Sequence, residues 1–171
     1  MPASPNVLNY FIGKGIIKFK PTAGTIRDLG NAPEVELTPA IEKLDHFSSR
    51  SGVRSKDRSI ALEKTLTLRI VLDELTAENL GLLLLSEATT NSAGNLELDI
   101  FSESEIAGEI TFEGTNDVGN QCNLTLPSVS FGPSGSLNLI SDEFGQIELT
   151  GEVLLSGTPG TFGSLEIIDA A

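Results

Sequence analysis

The sequence predicts a mainly β protein with one short helix and one strand too long for its own domain. Three observations predict it. Alternation of apolar and polar residues dominates the chain, in segments bounded by clusters of Gly, Pro, Asn and Ser. A single stretch, Thr76–Glu87, replaces the period of two with leucines at helical spacing. The alternation at Ile60–Asp73 runs far past the usual five or six residues of a strand. At 171 residues the chain is expected to be one domain, 1–171, large enough to bury a core.

Taken in order, Gly15–Lys20 and Glu34–Leu37 are short alternating segments that read as strands. From Thr38 to Ser59 the pattern fades. After Leu44 the chain is polar and basic, with Phe47 and Val53 as stray apolar residues, which predicts a long loop, disordered in the isolated protein. Ile60, Leu62, Leu66, Leu68, Ile70 and Leu72 then share one side of a pleat, opposite Glu63, Thr65, Thr67, Arg69 and Asp73. The 13 residues from Ile60 to Leu72 would span about 40 Å, so this strand should project. The helix, 76–87, has Thr76 as N-cap, Glu78 in the first turn and Leu80, Leu83 and Leu84 on one face. Gly81 lowers its propensity by about 1 kcal/mol relative to Ala, so the leucine face must pack on the sheet. Leu96–Phe101, Ile106–Glu113, Gln121–Phe131 and Gln146–Leu155 complete the strands. Within Gln121–Phe131 the apolar phase moves from even to odd positions across Pro127, which predicts a bulge or an edge there.

Charge is distributed unevenly. All 11 basic residues lie at or before Arg69, among seven acids, and the other 17 acids follow with no basic residue between them. An acidic second half argues against nucleic-acid binding, which needs Lys and Arg on phosphates. A globular domain can scatter such charges at little cost; the alternative is head-to-tail association, positive surface to negative surface, and so a ring or filament. No apolar run approaches the roughly 20 residues of a membrane span, and the first 20 residues lack the order of a signal peptide. No membrane insertion is expected. A lone Cys122 forbids an intrachain disulfide and fits a reducing cytosol.

Catalytic chemistry finds little purchase. His46 is the only histidine and sits in the loop beside Phe47, where a packing role is the simpler reading. Cys122 alternates with Leu124 and Leu126 and reads as a small buried hydrophobe. Gly114–Gln121 offers oxygen ligands near glycine but departs from the EF-hand spacing and reads as a hairpin turn. Asn123–Thr125 matches a glycosylation sequon inside a strand. Neither a catalytic group, a metal site nor a cofactor is expected. One Tyr and no Trp leave little aromatic surface for sugars.

The order and spacing of Gly13–Pro21, Asp28–Asn31, Val35–Leu37, Leu44–Gly52, Arg54–Arg58, the long strand and Thr76–Leu80 resemble the tail tube (major tail) proteins of bacteriophages with long, non-contractile tails. The resemblance covers roughly residues 13 to 85. It implies a β-sandwich or partly rolled barrel with one flanking α-helix and a long projecting β-hairpin, no enzymatic activity, and hexameric rings of the chain stacked into a hollow tube through which DNA passes. It implies further partners, a tape-measure protein and tail-end proteins, and a place in the virion after synthesis in the host cytoplasm. Under it, 38–59 is the hairpin or stacking loop, with Asp45, His46, Phe47, Arg50, Arg54, Lys56, Asp57 and Arg58 making contacts between subunits. Glu97, Asp99, Glu109, Glu113, Glu148 and Glu152 are candidates for an acidic lumen that repels phosphate without binding it. The alternative is a monomeric immunoglobulin-like β-sandwich for binding or adhesion, which has little use for a 22-residue insertion beside an overlong strand.

Overall fold

In a computed structural model, residues 10–50, 52–157 and 159–168 are described. Among them, ten strands and one helix follow in the order β1 (Gly15–Pro21), β2 (Arg27–Asp28), β3 (Glu34–Ser48), β4 (Ser55–Leu72), α1 (Ala77–Leu84), β5 (Ala88–Thr90), β6 (Leu96–Leu98), β7 (Ile106–Gly114), β8 (Gln121–Gly132), β9 (Ile147–Val153) and β10 (Ser164–Ile168). The main sheet is antiparallel, in the order β2-β1-β7-β8-β9-β4-β3, with β10 beside the first half of β8. It does not close into a barrel, and β5 and β6 form a separate two-stranded sheet. The described residues are thus mainly β with one helix, as expected.

Alternation decides which side of the main sheet is buried. Ile17 and Phe19 of β1, Leu68, Ile70 and Leu72 of β4, Ile110 of β7, Leu126, Val129 and Phe131 of β8 and Ile147 and Leu149 of β9 meet in one core. Phe19 and Phe131 pack edge to face with ring centroids 5.4 Å apart, the arrangement favoured by the ring quadrupole. The predicted bulge lies in β8. Gly108 and Ile110 of β7 face Val129 and Leu126, so two residues of β8, Pro127 and Ser128, stand against the single Glu109 of β7. That extra residue is what lets Leu124, Leu126, Val129 and Phe131 all point into the core.

Helix α1 covers the core with Leu82 and Leu83, while Leu80 and Leu84 are only half-buried. Thr76 caps it, its hydroxyl accepting from the Asn79 amide. Asn79 is buried and ties the helix to its surroundings: Nδ2 donates to the Leu29 and Glu74 carbonyls at 2.9 Å, and Oδ1 accepts from Arg27 at 2.7 Å. The helix stops at Leu84 because Leu85 turns left-handed (φ 48°) and the Ser86 amide bonds back to the Gly81 carbonyl at 3.0 Å. A leucine in that conformation is strained by roughly 1–2 kcal/mol. Burial of its side chain offsets the strain.

Four expectations are corrected. The segment Thr38–Ser59 is not a long structureless loop: β3 continues to Ser48 and β4 begins at Ser55, paired residue against residue. Neither face of this ribbon is buried by its own chain, so nothing imposes an apolar period of two, and periodicity was blind to it. Second, the apolar residues of the long strand do not share one side throughout. Leu62 is an extra residue opposite the Glu42–Lys43 step, so Ile60 points away from the face that carries Leu66–Leu72. Third, β2, β5 and β10 had no recognised pattern, being two to five residues long. Fourth, the strand expected at Leu96–Phe101 ends at Leu98.

Gly81 has a positive role that propensity conceals. A Cβ there would lie 2.5 Å from the Ser86 carbonyl oxygen. Gly81→Ala is therefore expected to destabilise the protein by about 1–3 kcal/mol despite the better helix former. Urea unfolding followed by circular dichroism measures it, and a gain in stability would contradict this packing.

Candidate functional site

The ribbon formed by β3 and β4 extends well past the sheet that holds it. The two strands pair from Glu34↔Val71 to Ser48↔Ser55, but β9 lies along β4 only from Thr67 to Leu72. Among the described residues, β4 has no strand on that edge from Ser55 to Leu66, and β3 has none along its outer edge. A two-stranded ribbon in water is marginal by itself. Here it is held by being continuous with a buried strand.

Both faces of this arm mix apolar and charged groups. Register places Ile41, Lys43, Asp45 and Phe47 of β3 on one face, and Thr38, Ala40, Glu42, Leu44 and His46 on the other. Leu44 and Ile60 stand opposite each other between the pairs Glu42–Glu63 and His46–Arg58. Leu44 and Leu62 are 57% and 59% exposed, large apolar side chains in water with no core behind them.

The predicted contact residues are brought together at the tip. Lys56 Nζ lies 2.7 Å from Asp45, whose other oxygen accepts from the Ser59 hydroxyl at 2.6 Å. His46 Nδ1 is 2.6 Å from Asp57, the extra residue of a second bulge. Arg54 sits over the Phe47 ring, 5.8 Å from its centroid. The acids of the tip are thus engaged with their own neighbours, while Arg50 and Arg58 have no ion pair among the described residues. The tip is left net positive.

The candidate lumen acids divide into two groups. Glu109 and Glu113 of β7 and Glu148 and Glu152 of β9 all lie on the face of the main sheet opposite the core. Glu97 and Asp99 do not join them: Glu97 is on β6, in the small sheet that packs against α1, and Asp99 follows it. The polar face is also not purely acidic. Lys18 bonds Glu113 at 2.7 Å, and Arg69 bridges Glu34 and Glu148, each at 2.8 Å. Arg69 is the residue that sequence reasoning missed. Its only signal was its place among the polar residues of β4. Glu109 and Glu152 have no ion pair among the described residues.

These contacts set the local ionisation. The Arg69 guanidinium holds the Glu148 carboxyl below the usual carboxylate range, and Lys56, then Ser59, do the same for Asp45. Among the described residues, no group of three or more His, Cys, Asp or Glu is placed to hold a metal ion, and no helix is long and apolar enough to cross a membrane. Cys122 is half-buried beside Leu124, and Gly114–Gln121 is organised by Asn116, whose Nδ2 donates to the carbonyls of Val118, Gly119 and Asn120.

The sequence matches, over residues 10–101 and 91–164, the family described as Protein of unknown function UCP028589. The chain belongs to this family. No curated protein matches it. Among solved structures it is similar to a chain from the tail of an empty GTA particle, determined by helical refinement with C6 symmetry, at 13% identity and a TM-score of 0.46, covering 90% of this chain and 94% of that one.

In this family member the two depressed carboxyls give a signed pH dependence. A carboxyl whose pKa is lowered by folding stabilises the protein above its unfolded pKa, and the contribution is lost as pH falls through its folded value. Stability is therefore expected to fall as the pH drops below about 5, where these carboxylates begin to protonate, and Glu148→Gln with Asp45→Asn should flatten that fall. Urea midpoints of both proteins across this range test it, and parallel curves would refute it.

Proposed function

We propose that the chain is a structural subunit that assembles with copies of itself into hexameric rings, stacked into a hollow tail tube of the kind found in phages with long, non-contractile tails. The observation that carries this reading is the arm of β3 and β4. It has two open edges, half-exposed leucines on its stem and a basic tip, none of which its own chain uses. Covering residues such as Ile41, Leu44, Ile60 and Leu62 from their half-exposed state is worth on the order of 1 kcal/mol each. Closing the open strand edges across subunits also removes sites of wrong pairing. The resemblance of residues 13–85 to tail tube proteins supports the same reading.

In such a tube the polar face of the sheet supplies lumen acids. Glu109, Glu113, Glu148 and Glu152 are the set that the sheet gathers. Lys18 and Arg69 are tied to acids on the same face and Lys20 stands opposite Glu109 in the register, so no continuous row of free cations awaits a phosphate backbone. Double-stranded DNA would pass without being held. A tape-measure protein inside the tube, end proteins, a place in the virion and the absence of catalysis belong to this reading. A monomeric adhesion module leaves the arm unexplained.

Negative-stain microscopy with sedimentation over a range of concentrations tests the reading: hollow tubes or rings with six-fold end views are expected, and a monomer at every concentration would count against it. Reversal of Arg50, Arg54 and Arg58 to Glu should leave the circular dichroism spectrum unchanged, because all three are exposed, and should abolish stacking. Undiminished tubes from that variant would remove the basic tip from the mechanism.

A further inference from the structure

The connection between β8 and β9, residues 133–146, leaves the sheet at the end remote from the tip of the arm. β4 runs from Ser55 at the tip to Leu72, and Leu72 pairs with Ile147 at the start of β9. The 18 residues of β4 set these two poles about 60 Å apart. The connection is long for two neighbouring antiparallel strands. Ser134 anchors its start, its hydroxyl accepting from the Thr150 amide at 2.8 Å, and Gly145 closes against Leu75 at its other end.

Between those anchors stand Leu139, Ile140 and Phe144, 85%, 97% and 98% exposed, the three most exposed large apolar side chains among the described residues. Asp142 and Glu143 lie among them, and residues 133–146 hold no basic residue. Apolar side chains presented to water on a loop with one sign of charge mark an interaction surface. The tip of the arm has the complementary composition: Phe47 and Val53 exposed, and Arg50, Arg54 and Arg58 in excess of the acids there.

We propose that the 138–144 loop is the acceptor for the basic arm tip of a second copy of this chain, a partner assignment that rests on the tube-subunit reading. The two patches match in sign and both interleave charges with large apolar groups. Their separation forbids the contact within one chain. Two copies joined this way leave one free tip and one free loop, so the contact is heterologous and propagates along the direction of β4. Leu139, Ile140 and Phe144 then lose water to Phe47, Val53 and the aliphatic stems of the arginines, while Asp142 and Glu143 face the guanidinium groups.

The test uses the full chain and charge exchange, read by sedimentation velocity over a concentration series, with circular dichroism as the control for folding. Asp142→Lys with Glu143→Lys should weaken self-association about tenfold or more, as should reversal of Arg50, Arg54 and Arg58 to Glu. The five-residue variant that carries both reversals should recover association, because the signs match again. A second variant, Leu139→Ser with Ile140→Ser and Phe144→Ser, should weaken association in a salt-independent way.

Association that depends on the tip but is untouched by the loop reversal would overturn the acceptor and leave the tube reading standing. Loss with both reversals and recovery with the combination, in species that are short linear oligomers rather than tubes, would sustain the acceptor and overturn the tube reading. No association of the natural sequence at any concentration would overturn both.

Discussion

Everything distinctive about this protein hangs on one strand being continuous. The last six residues of β4, Thr67–Leu72, sit between β3 and β9, and Leu68, Ile70 and Leu72 are wholly buried. The first eleven, Ser55–Thr65, are exposed and have a neighbour on one side only. A ribbon of that kind would not be expected to persist alone in water. Because its stem is locked by core packing on β7, β8 and β9, its direction is fixed without contacts of its own, and the entropy of ordering it is partly met before any partner arrives. The core determines where the arm points.

Folding also redistributes charge. In the sequence, every basic residue lies at or before Arg69 and the charged residues after it are all acids. The antiparallel order of the sheet brings β1 beside β7 and β4 beside β9, and so carries Lys18 to Glu113 and Arg69 to Glu148. The polar face is locally neutralised where those pairs form and acidic elsewhere. What survives of the segregation is a positive tip at one pole and an acidic, apolar loop at the other. These exposed pairs contribute little to stability singly. They settle instead which surfaces keep a net sign.

How much of this was legible in the sequence depends on whether burial imposed a pattern. Where one face of a strand enters the core, as in Gly15–Pro21, Ile106–Gly114 and Ile147–Val153, alternation located it to within a residue or two. The phase change at Pro127 revealed a bulge because both halves of β8 are buried. The arm is the opposite case. With no buried face, Asp45–Ser48 and Ser55–Ser59 carried no periodic signal, and their pairing is set by the continuation of the register from Glu34↔Val71. Among the candidate site residues, composition marked those of the tip but read their segment as a loop, whereas the family resemblance implied the projecting hairpin that β3 and β4 form. The acids of β7 and β9 were recognised as standing opposite their apolar neighbours. That they share a face, and that Glu97 and Asp99 lie elsewhere, depends on strand order, which alternation does not encode.

The two bulges of β4 have a consequence for how copies of the arm behave toward one another in a crowded solution. Open strand edges invite lateral pairing, the first step toward fibrillar aggregates. On this arm, the extra residues Leu62 and Asp57 interrupt the ladder twice on the same strand, Glu42 and Glu63 set like charges side by side, and Pro39 lies on the outermost strand. A neighbour approaching flank to flank would meet a broken hydrogen-bond register and an unfavourable charge. An encounter at the ends uses side chains alone and meets neither obstacle. The arm thus discriminates between neighbours: it resists irregular pairing with the flank of another arm while leaving ordered contacts with other parts of a second copy open.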